Sequence, residues 1–327
     1  MPEVDTEKIK KYGVLIKNLK KELSRVVIGQ EEVMNSLIKG LLTNAHVLLE
    51  GVPGIAKTLL LKTLAVAVGC DFKRIQFTVD LLPTDITGVI SYHEGKGFYV
   101  IKGPVFTNFL LADEINRAPP KTQSALLEAM QERQVTIGRE TYMLTEPFFV
   151  MATQNPIETT GTYELPEAQI DRFLFKVIMK YPRLDEEKTI IDNNISVRSF
   201  ESYNVKPVTN GKEIIAMQEF TKKIFLSEKL KVYITKLVDS TRNPKKYGLT
   251  LGKYIEYGAS PRASIGLAIA AKADALVRGE SFVKPQHIKN IAYEVLRHRI
   301  LLSYEGMARK ISTDEIIDEI FKKIPVM

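Results

Sequence analysis

The chain has 327 residues, 45% of them apolar and 26% charged, with a net charge of +7, a profile that fits a soluble globular protein of one large or two modest domains. Its single cysteine, Cys70, excludes an intrachain disulfide and any cysteine-rich zinc site, and the four histidines make no ligand pattern. No apolar run is long enough for a membrane span, and residues 1–26 are charged from the outset, so a cytoplasmic protein is expected. Residues 1–180 hold 21 Lys and Arg against 21 Asp and Glu, whereas residues 181–327 hold 25 against 18 and so carry the whole excess. That asymmetry fits a nucleic-acid face, an acidic protein partner or simply a solvated helical surface.

Residues 7–26 place Ile9, Tyr12, Ile16, Leu19 and Leu23 at helical spacing. Beyond Val27-Ile28-Gly29-Gln30, where Gly29 suits a turn, a second helix is predicted from Glu31 to Leu42. His46–Glu50 reads as the first buried strand, with His46 structural rather than a ligand. The octet Gly51-Val52-Pro53-Gly54-Ile55-Ala56-Lys57-Thr58 follows, with an apolar helix over 57–68 behind it. Strand, glycine-bearing loop and helix, with Lys and Thr at the junction, is the arrangement that cradles a polyphosphate. Backbone N–H groups and the positive end of the helix dipole face the anion, Lys57 reaches the β- and γ-phosphates, and the Thr58 hydroxyl ligates Mg²⁺. Ala56 departs from the pattern, which asks for glycine before the lysine. The alternative is a tight turn ahead of an ordinary amphipathic helix.

Phe72–Val79 reads as a second strand, and the alternating segments Val89–Tyr92 and Phe98–Ile101 read as a hairpin inserted after it. Strand Val105–Ala112 delivers two adjacent acids: Asp113, to hold Mg²⁺ through water, and Glu114, to polarise the attacking water as general base. A helix over Thr122–Gln134, a second hairpin over Gln134–Leu144 turning at Gly138-Arg139, and a strand over Pro147–Thr153 lead to Gln154-Asn155-Pro156. In a parallel sheet Asn155 lies beside Asp113 and Glu114, where it orients the lytic water; the alternative is an Asn-Pro turn. Helix Glu167–Phe173 and strand Phe173–Met179 complete a parallel, three-layered α/β core spanning residues 1–182. Residues 183–210 form a connection that begins with a helix over Asp185–Ile195. Residues 211–327 then read as a small domain of helices only, with an N-cap at Ser260-Pro261, a stop at Gly279, a restart at Pro285 and a capping box over Ser312–Glu315.

Between Val27 and about Arg299 the sequence resembles an AAA+ ATPase, and closely the MoxR family. The resemblance is carried by GVPGIAKT (51–58), LLADEINRAPPKTQSALLEAMQE (110–132), MATQNPIE (151–158), GTYELPEAQIDRF (161–173) and SPR (260–262). It implies an α/β P-loop NTPase fold with an all-helical lid, and it accommodates Ala56. Lys57 and Thr58 match the Walker A pair, Asp113 and Glu114 the Walker B pair, and Asn155 sensor 1. The resemblance further assigns nucleotide contacts to Gly51, Val52, Pro53, Gly54, Ile55, Ala56 and Leu59 in the loop, and to Val27, Ile28 and Gly29 at the adenine site. Arg172 matches the arginine finger, and Arg262 matches sensor 2, where it reaches the nucleotide. Residue by residue, the alternatives are a helix-surface pairing of Arg172 with Asp171 or Glu167, and a solvated first-turn role for Arg262. The hairpins near 89–101 and 134–144 resemble the helix-2 insert and pre-sensor-1 hairpin of this clade, which face the pore or the substrate.

The resemblance thus implies an ATP-hydrolysing homo-oligomer, a hexameric ring, with ATP and Mg²⁺ bound. Its work would be chaperone-like: remodelling or maturing protein complexes, or inserting metal cofactors, beside a separate partner with a von Willebrand factor A domain. The alternatives are a DNA- or RNA-acting motor, which the basic second domain permits, and a non-hydrolysing nucleotide switch or scaffold, against which Glu114 and Asn155 argue.

Overall fold

The computed structural model describes residues 5–95, 97–156, 161–193 and 199–326. They divide into two compact units. One comprises the described residues of Leu15–Phe173 and Val177–Met217, the other those of Met1–Val14, Leu174–Lys176 and Gln218–Met327.

Strands β1 (Val47–Gly51), β2 (Phe72–Gln76), β5 (Phe109–Asp113), β8 (Phe149–Gln154) and β9 (Phe175–Met179) form a five-stranded parallel sheet in the order β2-β5-β8-β1-β9. β5 is buried along its whole length and β8 up to its last residue, which is why these segments read as continuous apolar runs rather than alternating ones. On one side the core packs Leu110, Ala112, Val150 and Ala152 of the sheet against Leu126, Leu127 and Met130 of helix Pro120–Glu132. Two hairpins leave this core, β3 (Gly88–His93) with β4 (Gly97–Lys102), and β6 (Gln134–Ile137) with β7 (Glu140–Met143). In the second hairpin Val135 and Ile137 join the core while Thr136 faces out and meets Thr141 at 3.1 Å.

Helices Thr6–Val26, Glu31–Leu42 and Lys57–Ala67 follow the spacing of their apolar residues. Other expected boundaries moved for identifiable reasons. The third strand begins at Phe109, not Val105, because the Asn108 side chain takes over the ladder: its amide donates to the Pro147 carbonyl at 3.1 Å and its oxygen accepts from Asp71 N–H at 3.3 Å. β2 ends at Gln76 because the chain turns at Thr78, whose carbonyl accepts from Leu81 N–H. A short helix, Pro83–Thr87, follows, with Pro at its first position and the Asp85 carboxylate accepting from Leu82 N–H at 2.8 Å. The helix expected over Thr122–Gln134 starts at Pro120 and stops at Glu132, where Arg133 turns left-handed. The one expected over Glu167–Phe173 is a single turn, Glu167–Ile170. Helix Leu184–Asn193 is present; Asn194 and Ile195 of the expected helix, and Ile157 and Glu158 of the family segment, lie outside the described residues.

The second unit is built on helices Glu228–Arg242, Pro261–Val277, Pro285–Leu296, Tyr304–Ala308 and Thr313–Lys323. Ser260 caps its helix by accepting from Arg262 N–H at 3.2 Å, and Ser312 and Glu315 form the reciprocal box at 3.2 and 2.7 Å. The unit is not helix only: β10 (Ile255–Tyr257) pairs antiparallel with β11 (Leu301–Leu302). Strands of three and two residues are too short to show a period in sequence. Among the described residues no helix is long and apolar enough to cross a membrane.

Candidate functional site

The site is built by register. β1 and β8 run parallel with Leu49 opposite Thr153 and Glu50 opposite Gln154, so Gly51 and Asn155 follow at the same level. β5 joins the other side of β8 with Ala112 opposite Ala152, which sets Asp113 beside Thr153. The octet, the acid pair and Asn155 therefore leave three adjacent strands at their carboxyl ends, where ligands of open α/β sheets bind.

The loop between β1 and helix Lys57–Ala67 turns through two left-handed residues, Gly54 at φ 82° and Ala56 at φ 63°. That conformation explains why the phosphate-loop pattern asks for glycine before the lysine. An L-residue can adopt it at a cost of about 1–2 kcal/mol, and alanine is the smallest that does. Lys57 Nζ donates to the Gly51 carbonyl, so the ammonium is folded back over the loop. Thr58 is the second residue of the helix. Gly51 is closed in from the far side, since a Cβ there would stand 3.0 Å from Met179 at the end of β9. Nearby, Gln30 donates to the Lys180 carbonyl at 3.1 Å, which fixes the Val27–Gly29 segment against that strand end. Gly29, at φ 76°, has Glu186 where a side chain would be.

The two acids are held differently. Asp113 is nearly buried; its Oδ1 accepts from the Thr153 hydroxyl at 2.6 Å, and its Oδ2 accepts from Arg74 Nη2 at 2.7 Å and Nε at 3.0 Å. Glu114 stands at φ 57°, a sharp turn that takes its side chain off the strand direction. Its N–H donates to Thr153 Oγ1 at 2.9 Å, and its Oε2 accepts from Gln76 Nε2 at 2.7 Å and Arg117 Nη1 at 3.2 Å. The loop after it is pinned by buried Gln123, whose amide donates to the carbonyls of Ile115, Ala118 and Tyr163 at 3.0–3.2 Å. Arg74, Gln76, Thr153, Arg117 and Gln123 were not found from sequence. Only the period-2 spacing of Arg74 and Gln76 on a strand signalled that they share a face.

Asn155 is buried. Arg172 is exposed just beyond helix Glu167–Ile170, and its guanidinium makes no ion pair among the described residues. The register does not bring it to the loop: it precedes the amino end of β9, whereas Gly51 meets the carboxyl end. Arg262, exposed in the first turn of helix Pro261–Val277, belongs to the other compact unit.

Among the described residues no group of three or more His, Cys, Asp or Glu could hold a metal. The oxygen donors present, the Thr58 hydroxyl and the Asp113 carboxylate, fit Mg²⁺, which takes one or two protein oxygens and completes its shell with phosphate and water.

Residues 46–175 match the model of the ATPase family associated with various cellular activities (AAA), and residues 251–320 match the AAA lid domain. The chaperone MoxR1 of Mycobacterium tuberculosis (strain ATCC 25618 / H37Rv) is 46% identical over 93% of this chain and 80% of its own. The protein MoxR of Paracoccus denitrificans is 32% identical over 93% and 94%. A crystal structure of a protein from Cytophaga hutchinsonii ATCC 33406, 48% identical, superposes with a TM-score of 0.92 over 98% of this chain and 97% of that one. Sheet order, helical lid and relatives agree: the chain belongs to the MoxR family of AAA ATPases.

Proposed function

We propose that the chain works as a homo-oligomeric ring, a hexamer, in which each ATP is held by one subunit's 51–58 loop and completed by Arg172 of the next. The observation that carries this reading is the convergence of the octet, Asp113–Glu114 and Asn155 on adjacent strand ends, with Arg172 left at the opposite end of β9. A five-residue strand spans about 15 Å, so Arg172 is poorly placed for its own subunit's phosphates and, exposed, well placed for a neighbour's.

Within one subunit Lys57 exchanges the Gly51 carbonyl for the β- and γ-phosphates, and the loop N–H groups take the remaining oxygens. Thr58 and Asp113 would hold Mg²⁺, which supplies charge stabilisation on the phosphate oxygens. Glu114 acts as general base once one of its hydrogen bonds to Gln76 and Arg117 is given up, and Asn155 orients the water. Arg262, acting on its own subunit's nucleotide or on a neighbour's, senses the γ-phosphate. The residues around Val27, Ile28 and Gly29 accept the adenine. A trans arginine contributes about 10³–10⁵ in rate, roughly 4–7 kcal/mol.

The energy is spent on proteins: chaperone-like remodelling or maturation of partner complexes, or insertion of a metal cofactor, beside a separate protein with a von Willebrand factor A domain. Support comes from the relative whose name is chaperone MoxR1. It comes also from the first hairpin, where the tilted rings of Tyr92 and Phe98 meet at 5.2 Å yet stand 64% and 78% exposed. Glu114→Gln tests the site. ATP binding by equilibrium dialysis should stay within about threefold of the parent while turnover falls by at least about 10²; unchanged turnover removes Glu114 from the base role.

A further inference from the structure

The hydrogen bonds around the two acids close into a ring. Arg74 and Gln76 lie two apart on β2, the edge strand, with Gln76 opposite Asp113. From Asp113 Oδ2 the ring passes to the Arg74 guanidinium, then from Arg74 Nη2 to Gln76 Oε1 at 2.6 Å, and from Gln76 Nε2 to Glu114 Oε2 at 2.7 Å. It returns through Glu114 N–H to Thr153 Oγ1 and from that hydroxyl to Asp113 Oδ1. The direction of every bond is fixed by chemistry. A guanidinium only donates and a carboxylate only accepts, so the amide of Gln76 must turn its oxygen to Arg74 and its nitrogen to Glu114.

This leaves Arg74 with two tasks in one group. Its positive charge neutralises Asp113, whose side chain is only 13% exposed while that of Arg74 is 47% exposed. The same terminal nitrogen holds the amide oxygen of Gln76, and so sets how that amide presents itself to Glu114. Both Arg74 nitrogens on Asp113 fall on a single oxygen, where a divalent cation beside the carboxylate would face a like charge.

We propose that Arg74 is a positioning residue that stands in for the divalent cation at Asp113 and, through Gln76, couples the state of that carboxylate to the hold on Glu114. The proposal rests on the reading of Asp113 as metal carboxylate and Glu114 as base. With a divalent cation at Asp113 the guanidinium is repelled, Gln76 loses the donor that orients it, and the Glu114 carboxylate is freed to accept a proton from water. With the cation gone, the ring closes and Glu114 is held.

The test is Mn²⁺ binding to the full chain with saturating ADP, read by electron paramagnetic resonance of free Mn²⁺, for the parent, Arg74→Met, Arg74→Lys and Arg74→Gln. Removing the charge should tighten Mn²⁺ binding about tenfold in Arg74→Met and Arg74→Gln, while Arg74→Lys, which keeps the charge, stays near the parent. In turnover, Gln76→Leu should change kcat in the parent but not in Arg74→Met, because the ring is already open there. Arg74→Gln keeps a polar planar group and carries the test if Arg74→Met does not fold. Mn²⁺ affinity that is unchanged or weakened in the neutral variants, or Arg74→Lys behaving as they do, overturns the proposal. A parent chain that binds ADP but no Mn²⁺ with it overturns the metal reading of Asp113, and the proposal falls with it.

Discussion

His46 shows how a residue remote from the chemistry supports it. Fully buried at the entrance to β1, it accepts from Val150 N–H through Nδ1 at 3.0 Å, while Nε2 meets the Met130 carbonyl at 3.2 Å. One ring thus joins the start of β8 to helix Pro120–Glu132. Burial, and then the nearby Arg133 charge, push its pKa from 6.5 down to about 3, against the pull of the Met130 carbonyl. The folded state therefore keeps His46 neutral where the unfolded chain binds a proton. Its contribution is complete above about pH 6.5 and is lost progressively as the pH falls toward 3. Urea unfolding of the parent at pH 7.5 and 5.5 should show a loss of about 1 kcal/mol at the lower pH that is absent in His46→Gln; equal losses in both would assign the pH dependence elsewhere. The sequence reading of His46 as structural rests on its place at a strand start, and the two partners explain it. The phosphate-loop pattern marks position 56 as one that asks for glycine, in keeping with the left-handed backbone of Ala56, but nothing in a glutamate announces the positive φ of Glu114; it is imposed by the turn it occupies.

At the scale of elements, the sheet and both hairpins were legible because their signals are local. Continuous apolar runs mark parallel strands, and alternation about Gly-containing turns marks hairpins. What holds the elements to one another was not. The hairpins meet where a side chain at Gly138 would collide with Ile90, and the Lys102 ammonium lies 4.9 Å from the Phe106 ring and 5.1 Å from that of Tyr142. Gly138 and Ile90, and Lys102 and Tyr142, lie tens of positions apart, so no short window of sequence contains these contacts. The Gln123 clamp is of the same kind: it looks like one polar position on an amphipathic helix, yet it is fully buried and fixes the loop that follows Glu114. Gln123→Leu keeps the volume and strands carbonyls in the interior. It should cost about 2 kcal/mol in urea unfolding. It should also depress turnover more than ATP affinity, since the loop positions Glu114 rather than the phosphates. A variant as stable and as active as the parent would show the clamp to be dispensable.

At the scale of the whole molecule, the proposed site takes its phosphate loop, two acids and Asn155 from one subunit and its Arg172 from a neighbour. The family motif made Arg172 visible in the sequence, but residue-level reasoning alone left it a surface cation beside Asp171 and Glu167. The topology adds a geometric argument for the proposed shared site, because parallel strands gather their carboxyl ends at the 51–58 loop and leave the amino end of β9 on the other side. The most direct measurement is a subunit-mixing titration of ATP turnover. Arg172→Ala alone should bind ATP but turn over about 10³-fold more slowly, and Glu114→Gln alone should be inactive. Mixed, the two should recover activity that peaks at an intermediate ratio, from interfaces pairing an intact Glu114 with an intact Arg172. Absence of recovery at every ratio, with mixed assemblies demonstrated, would contradict a site shared between subunits.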